Sequence, residues 1–319
     1  MPKSPAPQTA ALVTGLHLDW LTALALVAQV LAMALYLVGT RRLSARGRRW
    51  PATQTAAFAV GLVVTAYATE GGIARYQVDN FTLHVVQSLL LFDVAAPLLA
   101  FGAPLRLAIQ AGGRGRGVAL AAARSRWLGL LTRPPVAFLA YIGTLYVYFL
   151  SPLFAAAARH PVLLEYLQLQ MLVTGVVLWS VVAGRDSLPR QVGYGARFAL
   201  VLLGIPFFAF LGIYLGGVAR PLYAAANTLH DTRSGGDVLW ALSEIAVVAG
   251  LAYLFVEWAR EEERRALRSD RQLEAALLAA RNLAAPGPSG EGGSPAIDGE
   301  ALMRVPAPGL EGVDRAGGD

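Results

Sequence analysis

The chain has 319 residues, 55% of them hydrophobic and only 15% charged, with a mean hydropathy of +0.50. A soluble domain carries about 25% charged residues, so the composition excludes an ordinary soluble protein and indicates an integral membrane protein. Cysteine is absent, which excludes disulfides, thiolate metal sites and cysteine nucleophiles. The net charge of +6 does not indicate nucleic acid, because the arginines fall in short connections between apolar runs, as the positive-inside rule requires.

Residues 1–15 are polar and proline-containing and are expected to form a short extracytoplasmic segment. Leu16–Val38 is the first apolar span, followed by Arg41, Arg42, Arg46, Arg48 and Arg49. A signal peptide carries its positive charges ahead of the apolar core; here they follow it, so the segment is expected to be retained as an outside-to-inside helix. Ala52–Thr69 is a second span and Glu70–Asp79 a loop. The third span, Asn80–Pro104, is the one around which the rest is organised. It carries His84, Gln87, Ser88 and Asp93, and Pro97 interrupts it. Such groups cost about 2–3 kcal/mol each in hydrocarbon, so this helix is expected at the centre of a bundle. His84, Gln87 and Ser88 share one face at i, i+3 and i+4, and Asp93 points elsewhere.

Arg106–Arg133 reads as a basic connection, a flexible loop containing GGRGRG (Gly112–Gly117) that leads to a surface-lying amphipathic segment. It lacks the Lys-Ser/Thr of a phosphate-binding loop. Val136–Ala157, Val162–Ala183, Tyr194–Gly217 and Asp237–Trp258 are spans four to seven. Gly212 and Gly216 form a small-xxx-small pair for close helix packing. Loops one, three and five hold fourteen arginines against four in loops two, four and six, which orients the N-terminus outside and the C-terminus in the cytoplasm. The expected fold is all-α, a seven-transmembrane helix bundle over residues 16–258. A charged cytoplasmic helix at 259–285 and a Gly/Pro-rich, disordered tail at 286–319 follow.

The four histidines, His17, His84, His160 and His230, all fall at or near the outer face in this topology. Imidazole suits copper, zinc, iron and nickel, and Asp231 adjoins His230. The candidate metal set is therefore His84, His160, His230 and Asp231, weighed against structural roles such as a helix start at His160-Pro161. Asp93 and Glu244 lie deeper and suit hydrogen bonding within the bundle or proton movement. Gln168 and Gln170 are neutral bundle glue worth about 0.6 kcal/mol per hydrogen bond.

The order of motifs resembles the CtaG family of cytochrome c oxidase assembly factors, the seven-helix type of bacteria with caa-type oxidases. The matching pieces are His84-Val-Val-Gln87, Ala96-Pro97-Leu-Leu and Gly102-Ala-Pro104. Arg133-Pro134, Arg159-His160-Pro161, Gly175 with Trp179, and Arg220-Pro221-Leu222-Tyr223 follow. The last is Asp231…Gly235-Gly236…Trp240. They cover about Thr55 to Arg264. The resemblance implies a multi-pass protein of the bacterial plasma membrane that matures the haem–copper oxidase through copper handling at the outer face. Its partners would be oxidase subunits or a copper carrier. The family pattern has histidines where this chain has Ser88, Phe149 and Gln168, with Tyr148 and Leu167 beside the last two. Two readings follow: a paralogue that keeps the scaffold without holding copper, which is preferred, and a replacement set built on His84, His160, His230 and Asp231. The alternative function is a proton- or metal-ion transporter. Nothing in the chain offers a nucleophile–base pair or HExxH, so no enzyme is expected.

Overall fold

The computed structural model describes residues 12, 15–16, 19–222 and 228–284, so His17, Tyr223 and the segment 286–319 lie outside the described residues. It is helical throughout, with no strand among the described residues and one isolated bridge between Leu16 and Gly71. In chain order the helices are α1 (Trp20–Ser44), α2 (Ala52–Glu70), α3 (Gly72–Tyr76) and α4 (Phe81–Leu89). A π-helical segment, Leu90–Ala95, leads to α5 (Ala96–Phe101), α6 (Pro104–Ala111), α7 (Arg114–Arg124) and α8 (Arg126–Leu131). Then come α9 (Pro134–Leu150), α10 (Leu153–Ala157), α11 (Pro161–Ala183), α12 (Tyr194–Gly217) and α13 (Leu229–Ala284).

Six of the described segments are long and apolar enough to cross a membrane: α1, α2, the run Phe81–Ala111, α11, α12 and Leu229–Arg281. The fourth expected span is the shorter apolar helix α9, of 17 residues, about 26 Å long at 1.5 Å per residue against a hydrocarbon core of ~30 Å. It stops at Ser151, which is extended ahead of Pro152, as the residue before proline prefers. The chain then continues as α10.

Phe81–Ala111 is the most buried of the six windows, at 61%, which is where the polar residues of the third span require it to be. Pro97 does not break it. Proline cannot donate to the carbonyl four residues back and its ring crowds that carbonyl, here that of Asp93. The helix widens into the π segment Leu90–Ala95 just before it, the usual accommodation of such a mismatch. The span turns at Ala103, which has left-handed φ of 48° and is fully buried. Asp186 then accepts the backbone N–H groups of Leu105 and Arg106 and so caps α6. Burial pushes the Asp186 carboxyl above the usual carboxylate range, against the opposing pull of those N–H donors.

Three expected boundaries are corrected. Glu70–Asp79 is not simply a loop: Glu70 ends α2 and α3 follows after Gly71. Arg106–Arg133 is helical in three pieces, α6 to α8, rather than a flexible loop. The helix that carries the expected seventh span begins at Leu229, eight residues before Asp237, because Thr228 Oγ1 accepts the N–H of Asp231 at 3.1 Å and starts the helix there.

Two clusters fill the bundle. In one, Tyr36 stacks on Phe58 at 4.2 Å, donates to Gly102 O at 2.8 Å and accepts from Trp50 Nε1 at 2.9 Å. The larger gathers Phe81, Phe92, Tyr141, Leu145, Phe149, Met171, Leu211 and Leu239 among others. Gly212 and Gly216 act as expected of small residues: Gly212 O lies 2.7 Å, and Gly216 N 2.6 Å, from where a Cβ on Gly236 would sit. The chain divides into two units, Met1–Glu262 and Glu263–Asp319. In the second, residues 263–281 are exposed helix.

Gly236→Ala therefore forces α12 and α13 apart and is expected to destabilise by about 1–3 kcal/mol. Gly117→Ala, in α7 with open space around it, is expected to be neutral or stabilising by up to about 1 kcal/mol. Thermal unfolding in detergent distinguishes them.

Candidate functional site

Two chain segments fix the start of α4. Asn80 Oδ1 accepts Leu83 N–H at 2.8 Å. From the first turn of α13, the Asp231 carboxylate accepts Phe81 N–H at 2.6 Å, Thr82 N–H at 3.1 Å and the Thr82 hydroxyl at 2.7 Å. Helix starts carry free N–H groups and partial positive charge, so a carboxylate here is an N-cap delivered from 150 residues away.

One turn further on, His84 is 1% exposed. Its ring stacks on Phe154 at 3.9 Å and has Tyr148 at 4.9 Å, Phe149 at 5.7 Å and Phe81 at 6.3 Å. Both ring nitrogens are buried without a hydrogen-bond partner among the described residues. An imidazole needs one donor and one acceptor partner, and each orphaned group costs about 1–3 kcal/mol. The ring is held by shape alone.

The other positions named from the sequence divide by role. Ser88 Oγ donates back to His84 O at 2.9 Å, and Gln87 Nε2 donates to Ala68 O at 2.7 Å, tying α4 to α2. Leu167 joins the same core cluster as Tyr148 and Phe149, and the adjacent Gln168 is 3% exposed with neither amide atom hydrogen-bonded among the described residues. Gln170 Nε2 donates to Thr144 Oγ1 at 2.7 Å, the glue role read for it. His160 and His230 are exposed, and Glu244 is half-buried. Among the described residues no three His, Asp or Glu side chains form a group that could hold a metal ion. Copper, the metal the family resemblance brings in, does not fit this arrangement: His84 is sealed in aromatic rings and the Asp231 carboxylate is engaged by α4.

A second polar feature lies on the π segment. Asp93 Oδ1 accepts the Tyr141 hydroxyl, while Oδ2 is buried with no hydrogen-bond partner among the described residues. Asp93 borders a cavity of about 30 Å³ lined also by Tyr141, Trp179, Phe138, Gly204 and Phe208. At ~10–15 Å³ per water, that is room for about two or three water molecules. The sequence did not single out Tyr141, Phe154 or the Glu70–Gln29 contact at 2.9 Å. Each pairs residues on different helices, for which no local spacing exists.

The profile described as "Cytochrome c oxidase caa3 assembly factor (Caa3_CtaG)" matches residues 34–261. The chain belongs to this family. It is also similar to uncharacterised mycobacterial proteins. One from Mycobacterium leprae is 26% identical over 265 residues, and one each from Mycobacterium bovis and Mycobacterium tuberculosis is 29% identical over 257. Each alignment covers 75% of this chain and 39% of the relative, so the chain spans about two-fifths of the length of those proteins. No solved structure matches it. In this member of the family, the His84 box takes up Phe149, one of the positions at which the resemblance leads one to expect histidine, together with the adjacent Tyr148.

His84→Phe keeps the shape of the box and removes both orphaned nitrogens, so it is expected to hold or raise thermal stability, by up to about 1–3 kcal/mol. Tyr141→Phe leaves both Asp93 oxygens unpaired and is expected to cost about 1–3 kcal/mol. Much of that cost should vanish in the Asp93→Asn background in a double-mutant cycle.

Proposed function

We propose that this protein is a non-catalytic, multi-pass assembly factor of the bacterial plasma membrane that helps mature a haem–copper cytochrome c oxidase as a scaffold, without holding copper itself. The family match over residues 34–261 carries the assembly role. The aromatic seal around His84 supports the metal-free form over a replacement ligand set of His84, His160, His230 and Asp231. The partners are oxidase subunits or a copper carrier delivering to them, and the lipid bilayer.

The topology proposed is seven spans within residues 16–258, with α9 as the fourth, the N-terminus (1–15) outside and the C-terminus in the cytoplasm. Residues 259–285 form a charged cytoplasmic helix and 286–319 a disordered tail. The arginine asymmetry and the apolar character of α9 support it. The second reading, a proton or metal-ion transporter, has one observation in its favour: the unpartnered Asp93 oxygen beside a water-sized cavity.

Deleting the protein is expected to reduce the aa-type signal in reduced-minus-oxidised membrane spectra, at low and high copper alike. An unchanged signal and unchanged oxidase activity would count against the assembly role. Because the chain has no cysteine, single replacements report topology cleanly. Arg159→Cys should react with an impermeant thiol reagent on whole cells and Arg190→Cys only after lysis; the reverse pattern would overturn the orientation.

A further inference from the structure

Between Arg41 and Arg133 the chain carries twelve arginines, and its acidic residues are Glu70, Asp79 and Asp93. Glu70 closes α2, Asp79 precedes α4 and Asp93 is inside the π segment, so none of the three lies in the arginine-bearing stretches 41–49 and 114–133. Arg106 is turned toward Asp186 and the Arg185 carbonyl. Nine others, five at 41–49 and four at 116–133, are exposed. The ion pair found among the described residues is Arg185–Glu257, so none of the nine has a carboxylate within ion-pair reach among those residues.

The two stretches are fastened together. Arg46 Nη1 donates to Ala111 O at 2.7 Å. Gly112 and Gly113 follow with φ of +69° and +76°, which only glycine adopts readily. A Cβ on Gly112 would lie 2.5 Å from Arg46 Nη1, and one on Gly113 would lie 2.8 Å from Arg42 Nη1. The two glycines thus leave room for two guanidinium groups side by side against the loop. This is the role of the GGRGRG stretch: it gathers arginines instead of cradling a nucleotide.

The second of these stretches mixes charge with exposed apolar side chains. Val118 is 74% and Trp127 62% exposed, and Arg126 lies over the Trp127 ring at 5.2 Å. Exposed tryptophan and aliphatic residues among arginines, beginning in the last turn of an apolar spanning helix, match the headgroup layer of a bilayer. An acidic protein partner would need the arginines but not the apolar residues. We propose that this face is a docking site for the phosphate groups of anionic phospholipid, with Arg42 and Arg46 gripping one phosphate between them.

Native mass spectrometry of the full-length protein, released from nanodiscs of phosphatidylcholine mixed with cardiolipin or phosphatidylglycerol, tests this without any oxidase present. Its outcome is therefore separate from that of the assembly role. The anionic lipids are expected to be retained in preference to phosphatidylcholine. At about 1 kcal/mol per arginine near an anionic surface, Arg42→Gln with Arg46→Gln should weaken retention roughly 25-fold, and Arg220→Gln, far along the chain in loop six, should leave it unchanged. Because Arg46 also holds Ala111, Arg42→Gln with Arg49→Gln provides the same test on residues that make no hydrogen bond among those found. Equal retention of all three lipids would overturn the proposal. So would equal loss in the Arg220→Gln control, or a polyglutamate peptide binding this face while anionic lipid does not.

Discussion

Hydrocarbon supplies no hydrogen bonds, so each polar group carried into a membrane bundle must be answered by another part of the chain. Most of this fold can be read as those answers. Asp231 caps α4, Gln87 reaches the Ala68 carbonyl, Tyr36 reaches Gly102, and Tyr141 meets Asp93. Each joins elements distant in sequence, and together they set which helices are neighbours. Among the described residues, the groups left unanswered include the His84 imidazole, the Gln168 amide, one Asp93 oxygen and one side-chain oxygen each of Gln54 and Gln77.

The unanswered imidazole bears most directly on function. A ligand to a transition metal needs a free nitrogen lone pair and companion ligands in reach. At His84 the surrounding volume is filled by Phe154, Tyr148, Phe149 and Phe81. Two of the polar groups named from the sequence are engaged elsewhere: Ser88 Oγ bonds backbone, and the Asp231 carboxylate bonds α4. The bundle thus retains its packing where aromatic side chains stand in for a polar centre.

Much of the fold was legible in the sequence because hydrophobic runs and arginine placement are local signals. Tyr194–Gly217 appears in the structure with the ends read for it, and the third span is the most buried. What escaped was long-range or conformational. Asp231 looked like a ligand beside His230, since nothing local reveals that it caps a helix 150 residues earlier. Pro97 looked like a break, whereas a π turn absorbs it. The Ser151-Pro152 stop shortened the fourth apolar helix, and the short helix α10 after it carries Phe154 onto His84. GGRGRG looked like a flexible loop, because the guanidinium groups that explain its glycines come from the end of α1.

Metal analysis of the purified full-length protein after exposure to copper, alongside the His84→Phe variant, tests the central claim most directly. The account predicts the same background copper in both, with no histidine-dependent signal. About one equivalent of copper per chain, lost on His84→Phe, would contradict it.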